Sequence, residues 1–168
     1  MIKLIVAVDR NWAIGNNGKL LTNIPDDTRF FNQVTMNQVV IMGRKTLESL
    51  PQGQPLPNRI NIVISRNPNY KVEGATVVGS IEEALKEANQ YTTDIYVAGG
   101  ASIYIGMLKY CEEALVTYID YSYQADTRMV NLDKRPEWVL VDESEEQTHF
   151  DVIYYFRTYK KRKDFLSI

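Results

Sequence analysis

The stretch Val39-Val40-Ile41-Met42-Gly43-Arg44-Lys45-Thr46 decides the fold class. Its first four residues are apolar whichever way they point, so the strand they form is buried on both faces, as in a parallel sheet covered by helices. Glycine then interrupts the run, and a basic segment opens a helix. Strand, glycine and helix recur in that order, without the basic residues, at Tyr96-Val97-Ala98-Gly99-Gly100-Ala101-Ser102-Ile103-Tyr104. Further strand-like runs are Lys3-Leu4-Ile5-Val6-Ala7-Val8, Ile60-Asn61-Ile62-Val63-Ile64, Ala75-Thr76-Val77-Val78 and Ala114-Leu115-Val116-Thr117-Tyr118-Ile119. Between them Ile81, Ala84, Leu85 and Ala88 recur at helical spacing with Ser80 as cap, and another helix fits residues 102–110. Alternation of strand and helix through residue 119 implies an α/β fold with a mixed, mostly parallel sheet and right-handed crossovers. Trp138-Val139-Leu140-Val141 and Val152-Ile153-Tyr154-Tyr155-Phe156 have no helix between them, which predicts a C-terminal antiparallel hairpin at one sheet edge. No repeat, low-complexity segment or long linker divides the chain, so residues 1–168 read as a single domain.

Composition excludes several chemistries. A formal net charge of −2 gives no global attraction to nucleic acid or to an anionic membrane. Cys111 is the only cysteine and His149 the only histidine, which removes intrachain disulfides, cysteine zinc cages, His-containing triads and multi-histidine metal sites. Cys111 falls in helical spacing with Tyr104, Met107 and Leu108 and reads as a small core residue suited to a reducing compartment. His149 closes the polar run Glu145-Glu146-Gln147-Thr148, which reads as exposed hairpin. The first residues enter a strand at once, without the pattern of a secretory leader. No run approaches the ~18 apolar residues of a membrane span. The chain is therefore expected to be a cytoplasmic monomer that holds no metal.

Asn23-Ile24-Pro25-Asp26-Asp27-Thr28-Arg29-Phe30-Phe31-Asn32-Gln33-Val34 reads as a helix beginning at Pro25, since proline is favoured in the first helical position. A 3.6-residue period puts Asp27, Phe30, Phe31 and Val34 on one face and Asp26, Arg29 and Gln33 on another. Asp26 needs no more than the helix dipole to explain it. Asp27 is a carboxylate on the apolar face, which is costly without a partner. It is either a functional group or a structural one satisfied by a buried neighbour such as Thr117. Burial raises its pKa and the helix N-terminus lowers it.

The two strand-to-glycine junctions suit an anionic ligand. Glycine allows close approach of backbone, and ligands of open α/β sheets sit at the carboxyl ends of strands. Arg44 and Lys45 add positive charge at one such end, and Ser65-Arg66 follow a third strand. The chain has neither G-x-G-x-x-G nor G-x-x-x-x-G-K-[ST]. Three basic side chains suit a dinucleotide carrying an additional phosphate, NADP rather than NAD.

Taken in order, Ala13-Ile14-Gly15, Ile24-Pro25 with Asp27 and Phe30-Phe31, Ile41-Met42-Gly43-Arg44-Lys45-Thr46 with Glu48-Ser49, Pro55-Leu56-Pro57-Asn58-Arg59, Ser65-Arg66, Gly99-Gly100 with Ile103-Tyr104, and Thr117-Tyr118-Ile119-Asp120 resemble the dihydrofolate reductase family across almost the whole chain. The resemblance implies an eight-stranded mixed sheet with four helices, and NADPH-dependent reduction of 7,8-dihydrofolate to tetrahydrofolate by hydride transfer to pterin C6, which supplies one-carbon and thymidylate metabolism. It also implies binding of antifolate-type inhibitors. By similarity, Asp27 accepts from the pterin ring N–H and 2-amino group, Thr117 hydrogen-bonds Asp27, and water supplies the proton. Ile5 and Val6 border the substrate. Phe31, Leu50 and Leu56 line its benzoyl part, and Arg59 pairs with a glutamate carboxylate. Ala7 and Ile14 hold the nicotinamide carboxamide through backbone groups. Gly43, Arg44, Lys45, Thr46, Ser65 and Arg66 meet the phosphates and adenosine side, together with Gly99, Gly100, Ala101, Ser102, Ile103 and Tyr104. Gly99-Gly100 matches a family site with a cis peptide.

Three departures stand out: Leu21-Thr22 where the family usually has Pro-Trp, Thr28 where a larger apolar residue is frequent, and Ala125 where glycine is common. Residues 13–23, with Gly15, Asn16, Asn17 and Gly18, read as a flexible lid whose motion gates turnover. Rival readings are a reductase of a ribosylated pyrimidine on the same fold, which Asp27 and Phe30-Phe31 disfavour, and an NADPH-binding protein without turnover. A third is nucleic-acid binding through Lys160-Lys161-Arg162-Lys163 with Phe165 nearby, a run that reads first as a solvated tail.

Overall fold

The computed structural model describes residues 1–163. Strands and helices alternate as the apolar runs predict. In chain order they are β1 (Ile2–Val8), β2 (Ala13–Gly15), α1 (Pro25–Thr35), β3 (Val39–Gly43), α2 (Arg44–Ser49), β4 (Ile60–Ile64), β5 (Ala75–Val78) and α3 (Ile81–Ala88). There follow β6 (Ile95–Val97), α4 (Ala101–Met107), β7 (Glu113–Ile119), β8 (Thr127–Arg128), β9 (Trp138–Glu143), β10 (Gln147–His149) and β11 (Val152–Lys161).

The main sheet runs β10-β11-β7-β1-β6-β3-β4-β5, with β9 pairing β11. From β5 to β7 every pair is parallel. β11 returns antiparallel to β7, and its outer flank is shared by β10 at Val152–Tyr154 and β9 at Arg157–Lys161. Nine strands thus fill eight positions, as the eight-stranded, mostly parallel sheet requires, and the C-terminal hairpin lies at the sheet edge. The central strands hold the core: Leu4, Val8, Val39, Ile41, Val97 and Ala114 have no exposed surface. That is why their sequence is apolar in both directions rather than alternating. Ser80 caps α3 by accepting the Glu83 N–H at 3.1 Å.

Three features depart from the sequence reading. The short strands β2, β8 and β10 carry too few apolar residues to announce themselves; β2 and β8 form a separate two-stranded ladder. The basic run is not simply a solvated tail. Lys160 and Lys161 are strand residues, and the Lys161 ammonium donates to the Leu108 and Lys109 carbonyls at 3.4 and 2.9 Å. It thereby reinforces the 3-10 turn (Leu108–Tyr110) that follows α4, whose Leu108 carbonyl also accepts the Cys111 N–H at 3.1 Å. Phe165 lies outside the described residues. His149 is half-buried and packs edge-on against Phe150, its centroid 4.6 Å away. Cys111 is buried, its thiol donates to the Met107 carbonyl, and burial pushes its pKa up to about 12. Among the described residues no helix is long and apolar enough to cross a membrane.

Candidate active site

Helix α1 begins without a side-chain cap, with Pro25 in its first turn. Its faces divide as the period predicts. Asp26, Arg29 and Gln33 are exposed, while Asp27, Phe30, Phe31 and Val34 are half-buried against the sheet. Phe30 meets Phe156 of β11 with ring centroids 5.0 Å apart. Thr117 lies in register between Ala7 of β1 and Phe156 of β11, directly under the first turn of α1. Its hydroxyl donates to Asp27 Oδ1 at 2.6 Å. Two opposing influences act on Asp27, and burial outweighs the Thr117 hydrogen bond, so its pKa lies above the ordinary carboxylate value. Asp26, by contrast, pairs with Arg29 on the surface and accepts from the Tyr154 hydroxyl at 3.3 Å.

The other predicted pterin-side residues fall around this carboxylate. Ile5 and Val6 are buried in β1, and Ala7 is half-buried. The Tyr104 hydroxyl, buried on α4, donates to the Ile5 carbonyl at 2.7 Å. Burial raises the Tyr104 pKa, and the nearby Asp27 charge adds to the effect. Leu50 and Leu56 pack half-buried against the Val40, Met42, Leu47 and Val63 cluster. Arg59 is fixed from three directions. Its Nε donates to the Pro57 carbonyl at 2.9 Å, and one terminal nitrogen reaches Asn32 Oδ1 at 2.8 Å and Thr35 Oγ1 at 3.1 Å. Partial burial lowers its pKa from the arginine value. Arg59 also borders an open groove of about 550 Å³ between the 53–59 loop and residues 72–74.

Asn32, Thr35 and Asn61 are the residues that sequence reasoning passed over. Asn61 is buried in β4, where its amide accepts from the Leu56 N–H and donates to the Leu56 and Arg59 carbonyls. One polar residue inside an apolar strand was the available signal, because such a group must find partners.

On the opposite side, β3 and β6 end side by side. Gly43 donates its N–H to the Gly99 carbonyl at 2.8 Å, and the Gly99–Gly100 peptide is cis. Glycine is required at 99: its φ is +115°, and a Cβ there would stand 3.3 Å from the Tyr104 hydroxyl. A Cβ on Gly100 would come 3.7 Å from Thr46 Oγ1, so bare backbone lines the junction. Ala101 and Gly100 are half-buried, Ile103 is buried and Ser102 is exposed. The cationic side chains are arranged unequally. Arg44 pairs with Glu48 one turn along α2 at 2.6 Å, whereas Lys45 and Arg66 are exposed. Ser65 is buried and its hydroxyl oxygen accepts the Asn67 N–H at 3.2 Å.

Ile14 lies half-buried in β2, and the segment beyond it is tied to the loop before β8. Asp126 accepts the Asn17 N–H at 2.9 Å and donates its own N–H to the Gly15 carbonyl at 3.2 Å. Leu20 is 80% exposed, Thr22 half-buried and Thr28 exposed.

The chain matches the family model described as dihydrofolate reductase over residues 1–161. It is 34% identical over 166 residues to dihydrofolate reductase of Bacillus subtilis (strain 168), covering 96% of this chain and 95% of that one. It is 40% identical over 137 residues to dihydrofolate reductase of Buchnera aphidicola subsp. Acyrthosiphon pisum, covering 82% and 83%. Among solved structures, the Enterococcus faecalis dihydrofolate reductase complexed with NADP(H) and RAB-propyl superposes with a TM-score of 0.88 at 30% identity, covering 97% of each chain. A carboxylate in the first turn of α1 held from below by Thr117, a glycine-lined junction of two parallel strand ends and a match along nearly the whole sequence agree: the chain belongs to the dihydrofolate reductase family.

Proposed function

We propose that this chain reduces 7,8-dihydrofolate to 5,6,7,8-tetrahydrofolate with NADPH, and that Asp27 is the group on which the pterin is oriented. The observation that carries this is the Thr117–Asp27 hydrogen bond: it fixes one oxygen of the carboxylate and leaves Oδ2 without a partner among the described residues. A half-buried carboxylate with one oxygen anchored and one available matches an edge of two adjacent N–H donors. NADPH supplies the hydride delivered to pterin C6. Asp27 lies at the far edge of the ring, so it orients and polarises, while water supplies the proton to the adjacent ring nitrogen under the negative field of the carboxylate.

The donor set fits the cofactor. Bare glycine backbone at 99 and 100 would admit close approach of a pyrophosphate. Thr46 and Ala101 to Tyr104 border that junction, Ser65 follows the end of neighbouring β4, and Arg44, Lys45 and Arg66 would supply charge for an additional phosphate. Ala7 and Ile14 would hold the carboxamide through backbone. Ile5, Val6, Phe31, Leu50 and Leu56 would enclose the substrate, with Arg59 receiving its glutamate carboxylate. Asn32, Thr35 and Asn61 support this by presetting the guanidinium and its loop. Closure of the lid at 13–23 would exclude water before transfer. Action as a cytoplasmic monomer, open to antifolate-type inhibitors, completes the proposal; sedimentation with and without NADPH tests the monomer.

The direct test follows NADPH oxidation with dihydrofolate in wild type and Asp27→Asn. Wild type should turn over; the variant should lose turnover while binding NADPH as before. Wild-type activity in the variant would remove Asp27 from the mechanism.

A further inference from the structure

We infer that Asp9 is a positioning residue for hydride transfer, setting the spacing between the end of β1 and the start of the lid. Asp9 has no exposed surface. Its Oδ1 accepts the N–H groups of Asn11 at 2.8 Å and Ala13 at 3.0 Å, and its Oδ2 accepts the Tyr123 N–H at 2.9 Å. Among the described residues no cation pairs with it. The backbone already closes this turn: the Asp9 N–H donates to the Ala13 carbonyl at 3.1 Å, and the Trp12 N–H to the Asp9 carbonyl at 3.0 Å. A buried carboxylate is costly, and the turn does not require one. Beyond satisfying the Asn11 and Ala13 N–H groups, the side chain adds a contact from the root of the lid to the Tyr123 N–H, beside the Arg10 N–H bond to the Tyr121 carbonyl at 3.0 Å.

The location gives that contact a purpose. Ala7 lies two residues before Asp9, and Ile14 follows Ala13. These are the two residues whose backbone is proposed to hold the nicotinamide carboxamide, so the inference rests on that assignment. The lid is joined to the 121–128 region by the β2–β8 ladder and by that Arg10 N–H bond to the Tyr121 carbonyl, and two carboxylates add stitches at different depths. The outer stitch, Asp126 to Asn17, is exposed. The inner one, Asp9 to Tyr123, starts from a buried carboxylate and is shielded from competition by water. Asp126 can therefore release the lid while Asp9 holds Ile14 at a fixed distance from Ala7. A shift of about 1 Å at such a contact can cost on the order of a hundredfold in rate.

Asp9→Asn tests this. An amide has one acceptor oxygen, which serves Asn11 and Ala13, and its NH2 then faces the Tyr123 N–H, donor against donor. Tyr123→Pro removes that N–H and leaves Asp9 untouched; Tyr123→Ala loses the ring and keeps the N–H. Single-turnover hydride transfer should fall about tenfold or more in Asp9→Asn and Tyr123→Pro and stay near wild type in Tyr123→Ala. The KM for dihydrofolate and the affinity for adenosine 2′,5′-bisphosphate, which lacks nicotinamide, should hold within about twofold. A purely structural role would lower the melting temperature and leave the rate at saturation unchanged. A wild-type hydride rate in folded Asp9→Asn, or equal rates in the two Tyr123 variants, overturns the inference. If Asp9→Asn does not fold, the Tyr123 pair decides alone. Failure of the wild type to oxidise NADPH with dihydrofolate would instead defeat the nicotinamide assignment.

Discussion

Asp27 and Arg44 both lie in the first turn of a helix at the carboxyl ends of the sheet, yet they are held in opposite ways. Asp27 is half-buried and anchored by Thr117, a residue 90 positions away on another element. Arg44 is 40% exposed and paired with Glu48 of its own helix. The first is preset by the fold at the cost of desolvation; the second is held by a local surface pair that salt and neighbours readily compete with. On the proposed assignment the pterin wall would be built for orientation and the cofactor wall for capture, which would separate losses in the chemical step from losses in affinity.

The largest effect should come from Asp27→Asn: kcat/KM for dihydrofolate falls about a hundred- to a thousandfold while NADPH affinity changes less than twofold, read by steady-state kinetics and fluorescence titration. A comparable loss of NADPH affinity would break the division. Next, Arg44→Ala and Arg66→Ala should each weaken NADPH binding about tenfold and narrow the preference over NADH, with single-turnover hydride transfer at saturation unchanged. The loss should shrink at high ionic strength.

The same Asp27→Asn variant sharpens the comparison through stability. Burial raises the folded-state pKa of Asp27 above its ordinary value. Ionising it therefore destabilises the fold, and the stability the protonated form holds is lost as pH rises through the raised value. At neutral pH the variant should therefore melt above wild type, read by thermal denaturation. The gain should vanish at acid pH, where both states of the wild type are protonated. A wild-type melting temperature at neutral pH would show that the desolvation is fully compensated. The smallest effect is expected from Glu48→Gln, which frees Arg44 and should tighten NADPH about twofold, since exposed pairs contribute ~0.2–1 kcal/mol.

The central sheet was legible because strands buried on both faces cannot hide in sequence: β3 at Val39 to Met42 is apolar at every position. Asp27 was legible as an anomaly for the same reason, a charge where the period demands apolar residues. Its partner Thr117 is a buried candidate in the sequence and again through the resemblance, and the hydrogen bond bears that out; spacing alone could not choose it, because Thr117 meets Asp27 through the pairing of β1, β7 and β11. Asp9 was missed because a carboxylate after a strand, next to Arg10 and Asn11, looks like any turn; only the fold brings the Tyr123 N–H to it. The length of β11 was missed because Lys160 and Lys161 look solvated, although a lysine stem can lie along a sheet while its ammonium reaches carbonyls at the margin.

The shared flank of β11 also governs how these molecules behave towards one another. β9 carries exposed Leu140 and Val141, and a long flat rim of that kind would invite a second chain to add a strand. Here the rim is broken into two short pieces, β9 and β10, with a register shift at Thr158/Tyr159. Neither piece presents a continuous ladder, so the protein can leave apolar side chains on its margin without becoming a template for aggregation.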